Sequence, residues 1–576
     1  MMRTQKGLRL FALSFVAATI LTAGANGQLT SETLRQHPPL SYPMWLNLQN
    51  NPEALRDLAS PPPPASSQPG QAPQTAPSSV PPEQAPAPQA DPASPWQLLT
   101  HPLGLNVSNP LLLTDETVIV HISETPFWWR LTPDINGSYV NGTWSQIASL
   151  PSGYAPRFFA SAVLPDGRVI VEGGEYNNPG GIVWTNRGAI YDPVANAWTS
   201  VAPPSGWFNI GDAQSVVLPD GTFMLANART RQEALLDANN LTWTATGSGK
   251  FDVNNEEGWT LLWDGNVLTV DAYVSTGSCD TNSERYLTPF GSWITAGSTI
   301  QRLPDCSAPN FSFEVGPQVL RPDGTVIAFG GTTSGVAHTA VFDSTTLNWA
   351  VGPDLPTIGG QNYTLADAPA ALLPGGNVLF AASPGLFRPP THFFELSYGT
   401  DTITQVADPS DAAGITSYQW NFLVLPTGQI LVCETDFRNV WIYTPSGSPD
   451  PAWAPHITGV TPYDFSLFTG STYLVYGRQF NGLSQGAAYG DDVQAATNYP
   501  LVQIVNATTG HVFYARTFGH STMGIGPEDD ESDAVFASTN FTVPTKSEIE
   551  AGYSYLYVVV NGIASEPFLV YISPVG

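Results

Sequence analysis

The sequence predicts an all-β chain: a seven-bladed β-propeller followed by a β-sandwich of the immunoglobulin-like, early-set type. Three observations carry this. Gly and Pro number 52 and 53, and Trp, Tyr and Phe 16, 21 and 27, against only 5 Met, the mix of a turn-rich, aromatic-cored β protein. A hairpin unit recurs seven times at intervals of 44 to 59 residues. After Pro455 the period stops, and alternating strands such as STYLVYG, PLVQIV and SYLYVVVNG run on for about 120 residues, the size of one sandwich domain.

In chain order, residues 1–25 read as a secretory signal, with Arg3, Lys6 and Arg9 ahead of the apolar run LFALSFVAATILTAG and small residues Ala23 and Ala25 for cleavage. The expected location is therefore secreted, periplasmic or extracellular. No later segment approaches the roughly 20 apolar residues a membrane crossing needs, so no membrane span is expected. Residues 26–60 have no assignable role. Residues 61–95 hold 13 prolines among Ala, Ser and Gln, a linker with nothing to bury that stays extended and disordered.

The propeller is expected over residues 96–454. Each unit opens with two apolar strands about a tight turn: LLLTDETVIV, SAVLPDGRVIV, SVVLPDGTFML, TLLWDGNVLTV, QVLRPDGTVIAF, AALLPGGNVLF and FLVLPTGQILV. Asp-Gly and Gly-Gly between apolar runs are hairpin signals because those residues tolerate positive φ. Seven such units of about 50 residues fit the kelch type of propeller. An outer half-repeat follows, with an aromatic residue or Leu and then Trp seven positions on: Tyr191 and Trp198, Leu236 and Trp243, Tyr286 and Trp293, Phe342 and Trp349. Trp96 resembles an outer-strand Trp with no hairpin before it, which predicts that the N-terminal strand completes the seventh blade. The sandwich is expected over residues 455–576, and its loop Gly490 to Tyr499 (GDDVQAATNY) reads as too polar for a core.

The charge is one-sided: 48 Asp+Glu against 20 Lys+Arg give a net charge of −28, with 12% charged residues overall. A phosphate backbone needs Lys and Arg to displace its counterions, so nucleic acid is excluded as a partner. Nothing in the chain calls for a second copy, and a monomer is expected. Three cysteines are too few for a disulfide scaffold. Cys279 and Cys306 lie in loops that emerge on one propeller face and are expected to form a disulfide; Cys433, in QILVCET, reads as a buried strand residue. The acidic run Glu528 to Asp533 reads as a solvated loop, with calcium binding as the other reading, and eight N-x-S/T sequons, including Asn136, Asn141 and Asn540, matter if the host glycosylates.

From Trp96 to Gly576 the chain resembles the galactose oxidase and glyoxal oxidase family. The resemblance rests on the architecture, the seven hairpins, and two stretches: SYQWNFLVLPTGQILV, similar to the family's last inner strand, and YARTFGHSTMGI, similar to the sandwich loop that places a histidine in the propeller channel. It implies oxidation at a copper held by two tyrosines and two histidines, one tyrosine cross-linked to a cysteine. Carried over residue by residue, Tyr418 matches the axial tyrosine and His520 one histidine. Gln419 stands for the other histidine, Phe158 for the cysteine and Asp212 for the cross-linked tyrosine. That set disfavours copper.

The same strand entrances carry acids: Asp212, Glu256, Glu257, Glu314 and Asp367, each eight to ten residues before its turn glycine. By the family's geometry they face the channel mouth. Three readings fit: ligands for a hard divalent cation such as calcium, with Asp212, Glu256, Glu314, Asp367 and His520 as candidates; an acid–base pair for a sugar hydrolase or lyase, with Tyr418 and His520 as further catalytic candidates; or acceptors for backbone amides at the strand ends. Two function classes stay open. One is an exported protein that binds a glycan or another extracellular surface ligand, and the other is a carbohydrate-active enzyme. A copper radical oxidase ranks behind both.

Overall fold

The computed structural model describes residues 94–178, 184–272, 281–304, 313–332, 335–435, 437–462, 466–527 and 537–574. The expected signal, the 26–60 segment, nearly all of the linker, the Cys279–Cys306 pairing and the Glu528–Asp533 run lie outside the described residues. Among those described, no helix is long and apolar enough to cross a membrane.

Six antiparallel sheets of four strands and one of five repeat along the chain and form the blades of a β-propeller. Blade 2 is typical: Ala160–Val163, Val169–Glu172, Gly188–Asp192 and Ala197–Val201, from the axis outward. The two inner strands are buried along their whole length and the outermost is mostly exposed, which is why the inner hairpins read as continuous apolar runs. The seven-residue aromatic spacing is a register. Tyr191 pairs with Trp198, Leu236 with Trp243, Tyr286 with Trp293 and Phe342 with Trp349 across the outer hairpin.

These tryptophans also join one blade to the next through the indole N–H. Trp198 donates to the Ala148 carbonyl at 2.9 Å, Trp243 to Ala202 at 2.7 Å and Trp144 to His101 at 3.0 Å. Trp349 donates to Ser283 Oγ at 2.8 Å. Trp96 does the same at the seam. Its strand, Trp96–Leu98, pairs with Val440–Tyr443 as the outer strand of blade 7, and its indole donates to Ala407 of blade 6 at 2.5 Å. Its ring lies 4.8 Å from both Phe393 and Tyr443.

The C-terminal region is a nine-stranded β assembly running from His456–Thr461 to Phe568–Ser573. Val475, Phe541, Ile504, Leu556 and Val570 lie in its own core, a β-sandwich in pattern. One of its loops corrects the sequence reading. Residues Asn481 to Tyr499 are almost wholly buried, because the loop enters the propeller channel. Ala487–Ala488 adds a fifth strand to blade 6 against Ala370–Leu372. Polar side chains belong there because they serve backbone groups that have lost water. Asn481 donates to Asn498 O at 2.8 Å, Asn498 to Met523 O at 2.8 Å, and Gln485 Oε1 accepts from Leu261 N at 2.8 Å. At the tip, the Gly490 carbonyl passes so near Gly258 that a Cβ on Gly258 would stand 2.4 Å from it.

If Trp96 closes the ring, Trp96→Ala should lower the unfolding free energy by about 3–5 kcal/mol, as for other large buried aromatics. Urea denaturation of the full chain measures this; a loss of under about 1 kcal/mol would show that the seam holds without it.

Candidate functional site: an acidic channel mouth

Just before the inner strands the chain repeatedly passes through left-handed backbone, at Phe158 (φ 51°), Glu256 (60°), Phe313 (65°) and Asp367 (44°), with a glycine, Gly211, in blade 3. Such positions cost on the order of 1–3 kcal/mol for a non-glycine residue. Here they turn the chain from the crossover into the inner strand on the face opposite the hairpin turns.

On that face the structure brings together four of the five predicted acids, Asp212, Glu256, Glu314 and Asp367. Burial raises the pKa of each, and neighbouring carboxylates add to the rise for Asp212, Glu256 and Glu314. Glu314 bonds to both Glu256 and Asp367 through their side chains, so protons are shared among the three. Glu256 is pushed up to about 8 and Asp367 to about 6.

Three more carboxyls join them that the sequence reading missed. Asp491 and Asp492 sit at the tip of the channel loop, 3% and 1% exposed, and interact with Asp367 and each other. Asp492 is raised to about 7, chiefly by burial. Glu175, in GGEYNN after the second strand of blade 2, is raised by burial and by Asp367. The signal in the sequence is two adjacent aspartates between Gly490 and Val493, in a loop whose polarity argues against a core. Aromatic side chains share the face. Phe158 lies 6.0 Å from Tyr176, with the Arg157 guanidinium 4.6 Å above its ring, and Arg229 sits 4.3 Å over Trp184. Tyr418 is half-buried there, packed edge-on against Phe387 at 5.1 Å, and its carbonyl accepts from the Tyr489 hydroxyl at 2.6 Å.

Two predicted residues do not belong to the mouth. Glu257 turns into a second, fully enclosed network inside blade 4, because the left-handed turn at Glu256 (φ 60°) redirects the chain between the two side chains. There Lys250 Nζ contacts Asp252, Glu257 Oε1 at 2.9 Å and Glu284 Oε2 at 2.6 Å, with Asp271 alongside. Burial raises Glu257, Glu284 and Asp271, the last to about 8. His520 lies at the other end of the propeller, beside the hairpin turn of blade 2. Its amide donates to Pro165 O at 3.1 Å, its Nδ1 meets Thr539 Oγ1 at 2.9 Å, and its ring stacks on Tyr499 at 6.0 Å. Burial drives its pKa down to about 3, so it is neutral.

The residues that the resemblance sets against the copper site can be compared with their surroundings. Phe158 has no sulfur and Asp212 no phenol. His520 is at the far end, and the described residues of the mouth hold carboxylates in place of the imidazoles copper prefers. Cys433, the one cysteine described, is buried in blade 7.

No protein-family model and no curated protein sequence matches the chain. Among solved structures it is similar to a fungal alcohol oxidase of the AA5 family in complex with copper, at 14% identity and TM-score 0.44 over 83% of this chain and 99% of that one. It is similar also to virginiamycin B lyase from Staphylococcus aureus, at 10% identity and TM-score 0.41 over 61% and 100%, and to YCF48 bound to D1 peptide, at 13% identity and TM-score 0.40 over 62% and 98%. The class its own topology defines is a seven-bladed β-propeller with a C-terminal β-sandwich whose loop fills the channel.

Two outcomes follow. Lys250→Met leaves four buried carboxyls without their ammonium and should cost about 3–5 kcal/mol, read by urea denaturation; a neutral result would mean the network holds itself by shared protons. Glu233 and Glu434, buried away from the mouth, are both raised to about 8, first by burial. Their folded pKa exceeds the unfolded value, so their contribution is complete below about pH 4 and is lost as pH rises through about 8. Stability should therefore fall across that window, and Glu434→Gln should flatten the slope; an unchanged slope in the variant would contradict the assignment.

Proposed function

We propose that this chain is an exported binding protein whose propeller mouth holds an extracellular glycan. The observation that carries the reading is the lining. Half-buried carboxyls of Glu175, Asp212, Glu256 and Asp367 stand beside the half-buried rings of Phe158, Tyr176, Trp184 and Tyr418. Carboxylates accept hydrogen bonds from sugar hydroxyls, and aromatic faces cover the apolar C–H side of a pyranose. Concave sites with a few convergent polar groups among aromatic walls are where small ligands bind. The leader-like N-terminus supports export, and the one-sided charge supports a ligand that is not a polyanion.

A second reading has its own support. Glu256 at about 8 and Asp367 at about 6, linked through Glu314, are carboxyls with separated acidities, the arrangement of a general acid and a general base. It makes the mouth a hydrolase or lyase site.

A glycan array followed by calorimetry tests the proposal. The expected result is binding of a defined plant or microbial polysaccharide without turnover, weakened about tenfold or more by Tyr176→Ala or Asp212→Asn at unchanged melting temperature. New reducing ends or unsaturated products would establish the enzyme instead, and peroxide from galactose or glyoxal with added copper would establish the oxidase. Absence of binding across the array would overturn the glycan assignment.

A further inference from the structure

The mouth acids are arranged more closely than glycan recognition requires. One carboxylate oxygen from each of Glu256, Asp367 and Asp491 lies within 4.8 Å of the other two. Calcium takes oxygen ligands at 2.3–2.6 Å, so ligands on one ion stand up to about 5 Å apart, and the three oxygens match that span.

A separate observation points to an occupant. Asp492 is 1% exposed, and its Oδ2 has no hydrogen-bond partner; Oδ2 of Asp491, 3% exposed, has none either. Asp492 is the chain neighbour of the cluster member Asp491, whose Oδ1 accepts from the Asp492 amide at 2.8 Å. A carboxylate oxygen shut away from water without a donor is costly and calls for a counter-ion. Blade 4 shows what the chain does where it supplies its own cation. Oxygens of Asp252, Glu257 and Asp271 also lie within 4.8 Å of one another, and Lys250 reaches in to Asp252 and Glu257. No lysine is placed in the corresponding way at the mouth among the described residues. The two arginines nearby sit over aromatic rings, Arg157 over Phe158 and Arg229 over Trp184, and their charge acts on Glu175.

We propose that the tip of the channel loop and the inner-strand entrances of blades 4 and 6 form a calcium site, with Glu256, Asp367 and Asp491 as ligands and Asp492 adding its charge at the closed end. Calcium fits better than magnesium, which demands near-ideal octahedral geometry at 2.0–2.1 Å and keeps its waters. The ligands come from both the propeller and the sandwich, so the ion fastens the loop into the channel. This goes beyond glycan binding and stands without it.

Calcium chloride alone is titrated calorimetrically into the full-length protein after EDTA treatment and dialysis, with the melting temperature followed in parallel. The expected result is one ion per chain with Kd of about 10⁻⁴ M, the range of extracellular modules, and a rise in melting temperature. Asp491→Asn and Glu256→Gln should each weaken binding about tenfold or more, while their melting temperatures in EDTA equal or exceed that of the wild type, since a repelling charge is gone. Should Asp491→Asn fail to fold, Asp367→Asn reads the same ligand set from the propeller side. No heat and no thermal shift with millimolar calcium would overturn the site, and so would unchanged affinity in folded amide variants. Because no glycan is present, a negative result here leaves the glycan reading to its own test.

Discussion

Closure of the ring is the constraint on which the rest depends. In six blades the four repeating strands come from one continuous stretch of chain, but the seventh takes its outer strand from Trp96–Leu98 at the beginning of the propeller. A β-sheet left open presents unpaired backbone groups along its edge, and here that edge is covered by covalently distant chain. With both ends of the propeller held in one sheet, the inner strands must surround a common axis. Convergence of carboxyls from blades 3, 4, 5 and 6 at one level follows from that, because their entrances occupy the same point of the repeat.

The chain gathers acids twice and compensates them in different ways. In blade 4 the cluster is sealed from water, and Lys250 supplies the opposing charge at 2.9 Å from Glu257 and 2.6 Å from Glu284. At the mouth the carboxyls lie around an accessible face, and the innermost, Asp491 and Asp492, are carried in by the sandwich. Like charges brought this close are tolerated only with a proton, a hydrogen bond or a cation between them. The sealed cluster has its cation built in, whereas no described lysine reaches the open one in the same way.

The channel loop shows why polarity is a poor guide to burial in this fold. A propeller channel is lined by inner-strand edges and backbone at the strand ends, so a segment that fills it must satisfy hydrogen bonds as well as occupy volume. The amide side chains of Asn481, Gln485 and Asn498 do this, each bonding to a main-chain group. An apolar plug would leave those groups without partners.

What the sequence determined by itself was local. Hairpin turns, the spacing of the outer-strand tryptophans and the repeat length all depend on residues within about ten positions of one another, and from them the seven blades, the unpaired outer strand at Trp96 and the shared level of Asp212, Glu256, Glu314 and Asp367 could be read. What only the tertiary structure decided was which distant segment meets which, and which way a side chain faces where the strand is only beginning. Glu256 and Glu257 are adjacent in sequence, yet one faces the mouth and the other Lys250, because the backbone turns through a left-handed conformation at Glu256. His520 carries a motif suited to the channel but packs at the opposite end against Tyr499 and Thr539. The loop that does enter carries Asp491 and Asp492. That choice depends on contacts between Asn481–Tyr499 and blades more than 100 residues away, and no local pattern encodes it.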